Sequence, residues 1–586
     1  MNSEPFNGRQ TTTLPKPSLL EQGTDKGGAR RWPLVILLIG GLLTLGLQVY
    51  SRNGVLFSGD GGLKALLAQQ MAHQLSRGNL SLDLQLPGEP WVQALWQQGL
   101  YPFTPPYVYE QGTRHFITFP FTFPMVTAPF YALMGYRGLY VVPLVALWVI
   151  WGRFYQICRR LSLSPLVMTL SLAAVVLASP LLPYGAMYWE HTLAVALAFW
   201  GVTAVLFPKP VSSQVSSKPL ASKPLASKTL TPTLRGVAMG GALIGLAVWF
   251  RPEFLCLIAA LGAVTVLAQL IRIGEFRLGW VKIAVLIGAM GATVLAFFAI
   301  NVQVYGHPLG IHAIQIVEES SPAQQLAQAK ASYEQLLTAL FRYFPIMVLA
   351  IAAPLLAPLL ALLGTPLKAN FKLPDNVKVL LLVGGLYAAS VPLIVPPGAG
   401  GKQWGPRFYL ILIPLAVLVI AQQLRTLLTH RPLFRRLALG SFALLLAMGV
   451  HVNTIQGGLR AYSDAQTQSV SLAKNYGPIA PMVQALNDQP LPWIAMSHQF
   501  VAQQLWPSLP DKTFFLTTTP EAVKQLGSAL QEQGESAFLY VCYPHRDCPV
   551  PELAPEALQL TQQGPQLQFN LLGTFGKYPT YQVVLR

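Results

Sequence analysis

LRGVAMGGALIGLAVWFRPEFLCLIAALGAVTVLAQLI (Leu234–Ile271) consists of two apolar runs joined by Arg-Pro-Glu. Each run suits a bilayer-crossing helix, and Pro252 supplies the turn between them. Arg251 and Glu253 then stand at the edge of the membrane, where an Arg is costly unless it is paired or bound to an anion. A structural Arg251–Glu253 pair and an anion site are both open readings. Runs of the same kind lie near 33–50, 138–157, 164–183, 191–207, 280–304, 341–363, 377–396, 408–424 and 434–452. With the first pair they make eleven expected spans. The composition agrees: 53% of the 586 residues are hydrophobic and 11% charged, against about 25% charged in ordinary soluble domains.

The loop charges test that count, because one missing span would scramble their alternation. With the N-terminal tail inside, the inside segments hold 23 of the 40 Lys and Arg but only 5 of the 23 acids. The whole formal excess of +17 therefore falls on the cytoplasmic side. Bases spread among short loops beside lipid explain the basic pI without nucleic acid, which needs a basic face or stripe. Trp32 and Tyr50 flank the first run, and no small-residue cleavage site follows it, so it reads as an uncleaved anchor behind a disordered tail, 1–32. The N-terminus is then expected to be cytoplasmic.

The membrane domain is expected over 33–452, with outside segments 51–137 and 305–340. In the first, ALLAQQMAHQLSR (65–77) reads as a short amphipathic helix and FPFTFPMVTAPFYALM (119–134) as an apolar helix lying at the interface. The second has helical patterning over 313–340 and suits a lid. SSKPLASKPLASKTL, within 208–232, is a flexible linker. From 453 the apolar runs stop. WIAMS, FFLTT, AFLYVCY and TYQVVLR read as strands, with HQFVAQQLW and PEAVKQLGSALQEQG as helices between them. This alternation predicts a small extracytoplasmic α/β domain over 453–586. Cys158 and Cys256 fall in spans as small apolar residues. Cys542 and Cys548 lie outside, where a disulfide, free thiols and a site completed by His545 are the readings; the spacing matches no common zinc site.

The polar clusters gather on one side. FSGDGGLK (Phe57–Lys64) places Asp60 between glycines that permit unusual dihedrals and close approach by a ligand; it is a candidate base or a solvated turn. In MYWEHT (Met187–Thr192), Glu190 suits a helix N-terminus, and His191 suits a ligand, base or donor role. In GGKQWGPRFY (Gly400–Tyr409), Lys402 and Arg407 offer phosphate binding or interfacial anchoring. His307 and His312, in YGHPLGIH, are too loosely spaced to claim a metal. Carboxylates and cations at one mouth suit transfer from a lipid-linked donor: cations hold a phosphate leaving group while a carboxylate deprotonates an acceptor hydroxyl. A sugar nucleotide fits poorly, since no Gly-rich phosphate motif precedes a helix.

Across residues 33–452 this order of parts resembles the GT-C superfamily of glycosyltransferases, in particular bacterial members of its mannosyltransferase-like or protein O-mannosyltransferase-like branch. The likeness rests on Asp60 in FSGDGGLK just after the first span, then YWEHT, RPE and WGPRF. It implies an all-α polytopic fold, a bacterial inner membrane as the setting and a polyprenyl-phosphate sugar donor. It also implies a glycan, lipid or protein acceptor, Asp60 as catalytic base and inversion at the anomeric carbon. Glu190, His191, Arg251, Glu253, Lys402 and Arg407 are the expected substrate-binding residues, and Glu110, Glu190 and Glu253 compete for the place of a second acid. Some relatives use a divalent cation, for which no ligand cluster stands out. The rival readings are a lipid-linked polysaccharide polymerase or ligase, and a secondary transporter, which repeated halves would favour.

Overall fold

The computed structural model describes residues 31–50, 56, 59–75, 77–78, 81–208, 232–271, 278–311, 322–352, 373–395, 404–429, 432–461, 479–546, 548 and 567–586. The linker, most of the tail, Lys402 and His312 lie outside these residues, as does the part 353–363 of the expected span at 341–363.

The protein is a polytopic helical membrane protein with a C-terminal sheet domain. Among the described residues, five helical stretches are long and apolar enough to cross a membrane: Trp32–Tyr50, Thr122–Arg160, Trp280–Tyr305, Asp375–Leu393 and Pro432–Arg460. Five shorter apolar helices accompany them, Pro165–Val176, His191–Leu206, Leu234–Phe250, Phe254–Leu270 and Leu412–Leu428. The helices used below are α1 (Trp32–Tyr50), α2 (Gly59–Leu75), α3 (Thr122–Met134), α4 (Val141–Arg160), α5 (His191–Leu206), α6 (Leu234–Phe250), α7 (Phe254–Leu270) and α8 (Trp280–Tyr305).

Local sequence sets the helix ends. Thr233 caps α6, its hydroxyl accepting from Gly236 N at 3.1 Å, and Gly306 closes α8 in the left-handed conformation at φ 73°. Between α6 and α7 the chain breaks at Arg251, extended at φ −145° and ψ 103°, as Pro252 requires of its predecessor. Small residues bring α5, α6 and α8 together: a Cβ at Gly241 would lie 2.7 Å from the Leu286 carbonyl oxygen. Close backbone approach of this kind substitutes for the hydrophobic drive that is missing in lipid.

The segment after α1 departs from its expected form. α2 begins at Gly59, six residues before the expected amphipathic helix, and nearly all of its first three turns are buried. It packs along α3, the expected interfacial helix. A hairpin, β1 (Val108–Gln111) and β2 (Arg114–Ile117), turns at Gly112 with φ 65°; its alternation is too short to have been read as strand. The expected lid appears as a helix, Pro322–Tyr343, held to the next span where Ser332 donates to Val395 O at 3.4 Å.

The C-terminal domain carries a five-stranded sheet of order β4-β3-β5-β7-β6. β3 (Trp493–Met496), β4 (Thr513–Leu516) and β5 (Ala537–Val541) are parallel, and β7 (Tyr578–Leu585) runs antiparallel between β5 and β6 (Leu567–Phe575). β3, β4, β5 and β7 are the four pieces read as strands. Unread β6 is largely exposed on its outer positions and carries a bulge at Leu571–Gly573. The crossover helices α9 (Phe500–Gln504) and α10 (Pro520–Glu532) fall where helices were expected, α10 opening with a Thr519 cap and Pro520 at its first position. The domain rests on the segment after α1: Trp96 Nε1 donates to Phe514 O at 3.1 Å, and the Trp91 and Trp493 rings meet edge-on at 4.9 Å. Cys542 and Cys548 are disulfide-bonded, their Cα atoms 5.7 Å apart.

Candidate functional site

Asp60 lies in the first turn of α2, not on a loop. The glycines around it serve a purpose other than ligand access: α9 sits on them. A Cβ at Gly62 would collide with the Gln503 carbonyl oxygen, and one at Gly59 with the Gln503 side chain. Three glycines in one helical turn each cost about 0.5–1 kcal/mol of propensity. Here that cost is what lets two backbones meet.

One turn after Asp60, on the same face, Lys64 is 1% exposed. Its Nζ lies 2.6 Å from Glu190 Oε2, 4.5 Å from the centre of the Phe119 ring and 4.2 Å from that of Trp189. Glu190 reaches Arg251 through its other oxygen, at 3.1 Å from Nη1. Arg251 Nε completes the row at 2.7 Å from Glu253 Oε1. Glu190 precedes α5 but makes no side-chain cap bond, which corrects the capping reading: the two cations claim its carboxylate. Arg251 does pair with Glu253, and through Glu190 it is also coupled to α2. Burial of such pairs is tolerable only when each partner is matched, and here two cations face two carboxylates.

Asp60 stands apart from this row. Among the described residues no ion pair includes it. Its residue surface is half-buried, yet protein packs densely round the carboxyl. Burial raises its pKa above the ordinary carboxylate range, with Lys64 and Arg407 pulling the other way. For Lys64, burial lowers the pKa, opposed by Glu190 and Asp60. Arg407 opens the turn before the helix Leu412–Leu428, with its guanidinium 4.6 Å from the Phe408 ring centre. Arg251 lies 5.2 Å from the same ring, and Phe408 is fixed from behind by Tyr387, whose hydroxyl donates to its carbonyl at 2.8 Å.

His191 is 2% exposed, with its ring 5.1 Å from Tyr184 and 5.3 Å from Trp189. Neither of its ring nitrogens nor the buried Tyr184 hydroxyl has a hydrogen-bond partner among the described residues. Buried polar atoms are rarely left so, and the His191 ring lies within the field of the Arg251, Lys64 and Arg407 charges.

Asp60, Glu190, His191, Arg251, Glu253 and Arg407 thus come together from four separated stretches. Glu110 does not: it is exposed on β1 opposite His115. His307 is exposed as well, its Nδ1 accepting from Leu309 N at 3.2 Å. Among the described residues no three His, Cys, Asp or Glu side chains group as metal ligands. Lys64 and Tyr184 belong to the site but were not singled out from sequence. The four-residue step from Asp60 to Lys64 marks a shared helix face only once 59–64 is known to be helical.

No family model and no curated protein matches the sequence. Among solved structures the chain is similar to ArnT from Cupriavidus metallidurans, at 12% identity over 95% of this chain and 98% of that one, with a TM-score of 0.49. The same protein bound to undecaprenyl phosphate gives 13% and 0.49. The Archaeoglobus fulgidus oligosaccharyltransferase AglB, in complex with an inhibitory peptide and a dolichol-phosphate, matches at 10% identity over 87% of this chain and 69% of that one, TM-score 0.44. No role of any residue around Asp60 is carried over from these likenesses.

Proposed function

We propose that the protein is a GT-C-type glycosyltransferase of a bacterial plasma membrane, with its N-terminus cytoplasmic and its sheet domain extracytoplasmic. It takes a sugar from a polyprenyl-phosphate donor and passes it to a hydroxyl of a glycan, lipid or protein acceptor. The observation that carries this reading is the division of labour in the site. Asp60 is a carboxylate outside the paired row, and beside it lies a buried cluster of cations together with orphaned polar atoms on His191 and Tyr184.

The reaction is a displacement. The acceptor O–H gives its proton to the Asp60 carboxylate as its oxygen bonds to the anomeric carbon. The bond from that carbon to the phosphate oxygen breaks, and polyprenyl phosphate leaves with the electron pair, inverting the carbon. Arg407 faces the growing phosphate charge, where a fixed cation in a water-poor site stabilises most. A pKa raised by burial makes Asp60 a stronger base than an exposed carboxylate.

The test uses the full chain in lipid with synthetic undecaprenyl-phosphate hexoses and a set of hydroxyl-bearing glycan, lipid and peptide acceptors, and follows release of free undecaprenyl phosphate. Wild type should release it, and Asp60→Asn, of equal size but unable to take the proton, should be slower by about 10²–10⁴-fold. Turnover retained in Asp60→Asn removes Asp60 as the base. A folded wild type that releases nothing from any of these donors sinks the donor class.

A further inference from the structure

The same contact that explains the glycines beside Asp60 brings the C-terminal domain to the mouth of the site. With Gln503 over Gly59 and Gly62, α9 sits on the turn of α2 that carries Asp60. Gln499, just before α9, accepts from Thr104 N at 3.0 Å and donates to Pro105 O at 3.4 Å. The domain is thereby tied to the chain leading to Tyr107.

What lines this junction is aromatic and polar-edged. Tyr107 lies 5.2 Å from Phe500, and His498 lies 4.6 Å from Phe500 and stacks at 5.2 Å on Tyr543. His545 meets Tyr543 at 5.4 Å. Tyr107, His498 and Phe500 are partly exposed, while His545 and Arg546 are exposed. The loop bearing Tyr543, His545 and Arg546 is closed by the Cys542–Cys548 disulfide and pinned where Tyr543 N donates to Ser497 Oγ at 2.9 Å. Burial raises the Tyr107 pKa, the Asp60 charge adds to that, and Arg546 and Arg407 oppose it. These groups therefore act on one shared space.

A lipid chain has no use for rings edged with hydroxyl and imidazole groups, whereas a saccharide does. Its C–H face packs on a flat ring, its hydroxyls reach the polar edges, and a forked guanidinium suits an acidic group on it. We infer that Tyr107, His498, Phe500 and Arg546 form a subsite for a saccharide ring carrying an acidic group, and that this saccharide is the acceptor. Its identity as acceptor rests on the proposed glycosyl transfer. The subsite makes the C-terminal domain part of the active site, because α9, which carries Phe500, sits on the α2 turn that bears Asp60.

The test is saturation-transfer NMR on the full chain in nanodiscs, with methyl β-glucuronide and methyl β-glucoside as probes. Wild type should bind the glucuronide more strongly than the glucoside. Phe500→Leu, which keeps an apolar side chain but removes the flat face, should weaken both by about tenfold with an unchanged melting temperature. Arg546→Gln should reduce the glucuronide to the level of the glucoside. No binding of either sugar by wild type, or unaltered binding in Phe500→Leu, overturns the subsite. A preference for glucuronide that survives Arg546→Gln overturns the role of that residue. Binding does not require donor turnover. Sugar binding with these variant effects but no polyprenyl-phosphate release upholds the subsite and sinks the transfer reading. Release without sugar binding sinks the subsite alone.

Discussion

Two short clusters, GDGG at 59–62 and RPE at 251–253, look alike in sequence: each sets charge beside a residue that disrupts helices. In the structure they differ in kind. RPE is a turn between two apolar helices, and its charges are spent on each other and on Glu190. GDGG is the first turn of a buried helix, its glycines are covered by α9, and its carboxylate stands outside the ion-paired row. A cluster whose charges cancel internally suits positioning; one whose carboxylate stands outside the paired row suits the proposed chemistry.

The strongest way to break this contrast is at Glu190, which joins the two clusters. Glu190→Gln leaves Lys64 buried beside a neutral amide and takes one partner from Arg251. Removing one member of a buried pair costs about 3–5 kcal/mol, so a large fall in melting temperature is expected. Lys64→Met combined with Glu190→Gln should recover much of that loss, since Arg251 keeps Glu253. Turnover should not recover, because α2 is then no longer fixed in rotation and Asp60 is misaimed. Full activity in a stably folded double variant would show that the row is scaffolding with no hold over Asp60.

A smaller effect is expected from the glycines. Gly62→Ala places a methyl group on the Gln503 carbonyl and should cost about 1–3 kcal/mol, as overpacking does, while also slowing transfer as α9 is pushed off α2. Gly41→Ala in α1, where a Cβ meets nothing within 4 Å, is the control and should be nearly neutral. Equal melting temperatures for the two variants would mean that α9 does not press on α2.

How far each cluster was legible follows from the range of what shapes it. RPE is shaped locally: Pro252 and the apolar periodicity on both sides fix the turn, so position and depth follow from sequence. The same holds for the strands β3, β4, β5 and β7, each a β-branched or aromatic run between breakers. Asp60 is named by its glycine-flanked place after the first span, but its helical setting is not legible there. Three glycines predict a loop, and what overrides that propensity is burial against Gln503, more than 400 residues downstream and invisible to any local rule. Lys64 was hidden for the same reason, because its helical step from Asp60 has meaning only after the helix is known. Glu190 reads from sequence both as a helix N-terminal acid and as a substrate-binding residue, and its pairing with Lys64 and Arg251 stays hidden because neither partner lies near it in sequence.

The smallest expected effect sharpens the contrast most. The folded pKa of Asp60 is raised, chiefly by burial, so its ionised form is disfavoured by the fold. Below the unfolded carboxylate pKa of about 3.9 both states are protonated and no penalty exists. As pH rises through the folded value, the native state must give up its proton at a cost, and stability is lost. Asp60→Asn should therefore melt about a degree or two higher than wild type at pH 8 and show no difference near pH 4. Transfer by wild type should run oppositely, falling away with acid along a limb centred above the usual carboxylate range, because only the ionised form accepts a proton. A paired carboxylate such as Glu190, whose neighbours Lys64 and Arg251 outweigh burial and hold its pKa down, predicts the reverse stability trend. If Asp60→Asn melts lower than wild type at pH 8, Asp60 belongs with the paired row, and the distinction between the two clusters falls.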